Sequence, residues 1–112
     1  MFRGINRIPI IKKSVVKPMK FKSLTKSNIK NKKLVLKLTE PNKTIHFGWK
    51  GSTTYVNGAT DEQRKNYLKR HKVNEDWKSL NSGSASAFIL WGSSRDINTN
   101  LNLYLKRFNI TK

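Results

Sequence analysis

The sequence predicts an α+β protein: a small β-hairpin packed on three to four short helices, preceded by an extended basic N-terminal arm. Three observations predict it. Apolar residues alternate with polar ones on both sides of a turn, in Leu34 to Leu38 (LVLKL) and Thr44 to Gly48 (TIHFG). Helix signals fill the second half, from the Thr60–Gln63 capping pair to the apolar face of Ile97, Leu101, Tyr104, Leu105 and Phe108. Residues 1–33 carry eleven Lys and Arg, no acidic residue, and prolines at 9 and 18 that interrupt any long helix. The expected division is therefore an arm over 1–33 and one domain over 34–112, since 112 residues suffice for one small domain and not for two.

Within the arm, apolar side chains interleave with cations. Phe2, Ile5, Ile8, the pair Ile10 and Ile11, and the pair Val15 and Val16 alternate with Arg3, Arg7, Lys12, Lys13, Lys17, Lys20 and Lys22. A solvated basic tail, an adhesive arm and a transit peptide all share such a composition. The prolines and the dominance of Lys over Arg count against a transit peptide. In the adhesive reading, the apolar pairs dock on a neighbour while the lysines meet its anions, and these residues form a partner-binding arm.

Pro41 and Asn42 make the hairpin turn. Gly48 and Gly51 then bracket Trp49 and Lys50, where glycine allows positive φ or close backbone approach. The spacing of a phosphate-cradling P-loop is absent. Asn57-Gly58 marks a further turn. A helix is expected from Thr60 to about Lys72, with Asp61 and Glu62 at its positive end. Tyr67, Leu68 and His71 form its apolar side; Arg64, Lys65, Lys69, Arg70 and Lys72 make a basic surface open to an acidic protein or DNA. Asn74 is expected to cap a short second helix through Leu80, with Trp77 anchored in the core. Ala85 to Trp91 reads as a short buried helix, and Ser93 or Ser94 as the cap of the last one. Trp49, Tyr67 and Trp77 are expected to hold this scaffold together.

The formal charge is +18, from 24 Lys and Arg against 6 Asp and Glu. A solvated lysine-rich surface accounts for part of that excess. The remainder points to polyanions or acidic protein surfaces, met through diffuse charge because lysine far outnumbers arginine. There is no cysteine, hence no disulfide and no thiolate chemistry. The longest strongly apolar run, Ala87 to Trp91, is far too short to span a bilayer. His46 and His71 are the only histidines; with Asp61, Glu75 or Asp76 they offer at most a generic acid–base or metal set, and no HExxH motif or nucleophile elbow supports one. The expectation is a protein that is not an enzyme, without catalytic residues, cofactor, metal or small-molecule substrate. Zinc-finger, basic-zipper and RRM signatures are absent as well, so charge alone predicts salt-sensitive, sequence-independent contact with nucleic acid.

Several strings recur in one order: Ile45-His46-Phe47-Gly48, Gly51, Tyr55, Arg64-Lys65, Tyr67, Arg70-His71, Glu75-Asp76-Trp77, and Ala87 through Leu90-Trp91. Their spacing over about residues 33–108 resembles an uncharacterised family of small basic proteins encoded by large nucleocytoplasmic DNA viruses, those of algae and amoebae among them. The family usually has an acidic residue before the loop tyrosine, where this chain has Thr54. The resemblance supplies no catalytic residues and implies a viral setting. Small size, an arm of basic and apolar residues, and the lack of a catalytic constellation then lead to an expected function. The chain would be a structural virion component, a minor capsid or cement protein located in the capsid and assembled inside the host cell. Its arm would bridge neighbouring major-capsid subunits or other virion proteins, or meet DNA or an anionic inner-membrane surface. The alternative is a non-sequence-specific nucleic-acid-binding, DNA-packaging protein.

Overall fold

Three antiparallel strands form where the sequence shows two. The computed structural model describes residues 19–112. It begins with β1 (Lys20–Lys26), β2 (Lys32–Thr39) and β3 (Lys43–Trp49), adjacent in that order. β2 and β3 are the expected hairpin. β1 is a correction: the sequence assigns Lys20 and Lys22 to an arm reaching residue 33, whereas both lie on an edge strand of the sheet. The physical reason is a bulge. Phe21 pairs with Leu38 and Ser23 with Lys37, so Lys22 is an extra residue. The inward side chains Phe21 and Leu24 therefore stand three apart instead of two, and the strand period is hidden. The remaining arm residues, Phe2 to Lys17, lie outside the described residues.

Register sets two unlike sheet faces. Leu24, Leu36 and Ile45 are mutual cross-strand partners, as are Phe21 with Leu38 and Leu34 with Phe47. This apolar face carries Leu36, Leu38, Ile45 and Phe47 into the core. The other face bears Thr25, Val35, Lys37, Thr44 and His46, and is polar but for Val35. A sheet with one dry and one wet face needs a covering layer on the dry side.

That layer comes from the second half of the chain. A 3-10 turn (Tyr55–Asn57) leads to α1 (Asp61–Lys72), then α2 (Ser82–Ala85), which runs into a π-helical segment (Ser86–Leu90), then α3 (Ile97–Arg107). The π-helical segment and α3 place Ile89, Leu90, Leu101, Tyr104 and Leu105 against the sheet. The expected apolar face of α3 is therefore the packed one, with Ile97 and Phe108 at its margins. The capping box of α1 is present: Thr60 Oγ1 accepts from Gln63 N at 3.0 Å, and Gln63 Oε1 accepts from Thr60 N at 2.8 Å.

Two helix-start expectations fail for a shared reason, local side-chain capture of backbone N–H groups. No helix forms at Asn74 to Leu80. Instead Asp76 accepts from Lys78 N at 2.9 Å and from the Ser79 hydroxyl at 2.7 Å, which fixes a turn. The cap of α3 is Asp96, not Ser93 or Ser94; its carboxylate accepts from Thr99 N at 3.1 Å and Thr99 Oγ1 at 2.6 Å. The Ser94 hydroxyl is engaged one step earlier, accepting from Asp96 N.

The C-terminus returns to the sheet. Asn109 adopts a left-handed φ of 56°, Ile110 is buried, and Thr111 forms a parallel bridge to Lys20. The open edge of β1 is thus partly closed. Among the described residues no helix is long and apolar enough to cross a membrane.

Candidate functional site

A surface cleft of about 390 Å³ between the end of β3, α1 and the start of α2 joins Trp49, Tyr67 and Trp91 with Lys32 and Arg70. Its first wall follows from strand geometry. Trp49 closes β3 and pairs in register with Lys32 at the start of β2. Gly48, just before it, has φ 82°. A Cβ at that position would lie 2.6 Å from Leu90 Cδ1, so close approach of the π-helical segment and the left-handed backbone both require glycine. Trp49 is 63 % exposed, which corrects the expectation that it helps hold the scaffold.

The second wall is a stack of three rings on α1 and the end of the π-helical segment. Tyr67 lies 4.3 Å from Trp91 at 5°, and His71 lies 4.0 Å from Tyr67 at 25°. The Tyr67 and Ser86 hydroxyls are 3.0 Å apart. Burial pushes the Tyr67 phenol above its ordinary pKa; the Ser86 hydrogen bond opposes the shift and the Glu75 charge adds to it. The phenol is therefore neutral at physiological pH. Glu75 joins the stack to the following turn: one oxygen lies 2.8 Å from His71 Nδ1, and the other accepts from Trp77 Nε1 at 2.9 Å. Trp77 is half-buried and edge-on to Phe88, at the margin of the core rather than in it.

The predicted basic surface of α1 divides. Lys65, Lys69 and Lys72 are exposed and, at spacings of four and three, share one face. Arg70 lines the cleft. Arg64 turns inward and is half-buried. Its Nε donates to the carbonyls of Trp91 and Gly92, both at 2.9 Å, and satisfies acceptors freed where the π-helical segment ends. Arg64 and Arg95 also approach the Tyr55 ring at 5.4 and 4.1 Å, while the Tyr55 hydroxyl donates to Asp61 at 2.6 Å.

The two histidines are not brought together. His46 lies on the polar sheet face with Nδ1 2.7 Å from the Ser27 hydroxyl, and His71 lines the cleft. Of the acids considered with them, Glu75 alone is bonded to a histidine; Asp61 and Asp76 act elsewhere. Among the described residues, no hydroxyl is hydrogen-bonded to His71, and no three His, Asp or Glu side chains converge as a metal site would need. The cleft as arranged is suited to binding by stacking and by charge.

Five of the six carboxylates have a local partner. Glu40 meets Lys20 at 3.4 Å, Asp61 holds Tyr55 and lies 3.8 Å from Arg95, Glu75 bridges His71 and Trp77, and Glu62 stands in the first turn of α1. Asp76 and Asp96 are held below the ordinary aspartate pKa, first by the hydroxyls of Ser79 and Thr99 respectively and then by backbone N–H groups. Among the described residues, most of the cations have no carboxylate partner within 4 Å.

Sequence reasoning missed Trp49, Lys32 and Glu75 as parts of one site. The Lys32–Trp49 pairing was accessible by extending the hairpin register outward from Leu36 and Ile45. The Glu75 bridge had no local signal. The sequence model of a family of unknown function (DUF5754) matches residues 22–71, from β1 to the end of α1. No curated protein and no solved structure matches the chain.

Proposed function

We propose that this chain is a non-catalytic bridging protein of a large DNA virus particle, a minor capsid or cement component. A folded head engages one surface and a basic arm reaches another. One observation carries the reading. The chain has 24 Lys and Arg against 6 acidic residues, and four of the carboxylates, Asp61, Glu75, Asp76 and Asp96, are already engaged in capping, turn or ring contacts. Charge this far out of balance repels itself and is relieved by an anionic partner. The arm adds apolar pairs, whose burial against a neighbour contributes about 25 cal/mol per Å² removed from water. The viral setting comes from the motif resemblance, and the bridging role from the basic and apolar composition of the N-terminal residues.

Location within the particle tests the proposal. In purified, salt-washed particles of the virus that encodes the chain, mass spectrometry should recover it with the shell proteins. Absence from particles would remove the proposal.

A second reading is non-sequence-specific nucleic-acid binding in DNA packaging, favoured by exposed Trp49 beside Lys32 and Arg70. It predicts recovery with the DNA core, and an affinity whose logarithm falls steeply with the logarithm of salt concentration.

A further inference from the structure

Trp49 is exposed against the pattern of its own strand. With a period of two, Ile45, Phe47 and residue 49 share one face of β3. Ile45 and Phe47 are buried on that face. Trp49, at the end of the strand and next to Gly48 with its left-handed φ of 82°, is instead 63 % exposed. A side chain at Gly48 would be strained by this φ and would crowd Leu90 Cδ1 at 2.6 Å.

The charged surroundings of the indole are mostly cationic. Lys32 is its cross-strand partner, Arg70 lines the same cleft, and Lys50 follows it in the chain and is exposed. One carboxylate, Glu75, also lines the cleft, with its oxygens bonded to His71 and Trp77, and the three cations outnumber it. An open π-face flanked by ammonium and guanidinium groups matches an unpaired base with its phosphates. The base stacks on the indole, and the phosphates meet the cations. A duplex keeps its base faces stacked on one another, and an acidic peptide supplies charge without a ring. Lysines acting as point charges impose no base preference.

We infer that the cleft at the end of β3 binds single-stranded nucleic acid, with one unpaired base on Trp49 and the flanking phosphates on Lys32, Lys50 and Arg70. The inference rests on the nucleic-acid reading above and assigns it a site and a strand state.

The full chain can be titrated at physiological ionic strength with labelled oligothymidylate and with a duplex of equal length, following anisotropy and tryptophan emission. The single strand should bind more tightly than the duplex and quench the indole. Trp49→Ala should weaken single-strand binding roughly ten-fold with the melting temperature unchanged. Trp49→Phe should keep most of the affinity and lose most of the quenching. Equal binding of both polymers, indifferent to Trp49→Ala, would overturn the cleft assignment and leave general nucleic-acid binding standing. Binding of neither polymer would overturn both.

Discussion

Asn100→Ala is expected to destabilise the domain by about 3 kcal/mol and to lower its melting temperature by roughly 12–24 °C. Asn100 is fully buried and serves both ends of the loop after the π-helical segment. Its amide donates to Ile89 O at 2.9 Å and Ser94 O at 2.7 Å, and its carbonyl oxygen accepts from Ser94 N at 3.0 Å. Alanine removes all three bonds and leaves buried or half-buried backbone groups without a partner, the costly side of hydrogen-bond energetics. Water cannot easily enter, because Gly92 packs against the same amide: a Cβ there would stand 2.6 Å from Asn100 Cγ and 2.4 Å from Phe88 O. Thermal denaturation followed by circular dichroism measures the effect. A fall of only a few degrees would mean that the loop re-forms its bonds without Asn100.

Phe47→Ala should cost about 3–5 kcal/mol, the range for deleting a buried aromatic ring. Phe47 has no exposed surface and pairs across the sheet with Leu34, in the cluster with Leu36, Ile45 and Leu90. The neighbouring substitution Trp49→Ala should change stability by less than about 0.5 kcal/mol, because the indole is largely in water. Denaturant midpoints of the two variants compare positions two residues apart on one strand. Equal losses would show that Trp49 is packed after all, and would contradict the cleft geometry.

What was legible in the sequence was local. The β2–β3 hairpin, α1 with its Thr60 capping box and the packed face of α3 each carry a short-range pattern that tertiary contacts reinforce. The misses are places where local structure departs from the period. A single bulged residue, Lys22, hides β1. Asp76 turns a helical-looking segment into a turn by taking the N–H of Lys78. Trp49, on a buried-looking position of β3, lies at the strand's end beside the left-handed Gly48 and is exposed. The candidate site was barely legible, since it joins residues 32 to 91 through packing. Arg70 was identified as basic surface but not as a cleft residue. Arg64, identified with it, proved to be a cap for backbone carbonyls.

The structure also fixes where the arm can be cut. Removing residues through 30 would delete β1 and expose Leu36 and Leu38, whereas a chain of residues 19–112 keeps all three strands and the Lys20–Thr111 bridge. Residues 1–18 contain five of the cations, Arg3, Arg7, Lys12, Lys13 and Lys17, and no acid. The most direct measurement is therefore the amount of full-length chain and of the 19–112 variant retained in salt-washed particles, with the variant's fold verified by its melting curve. The bridging account predicts that the variant melts like the full chain yet is lost from particles. Retention of the variant at the full-length level would contradict it.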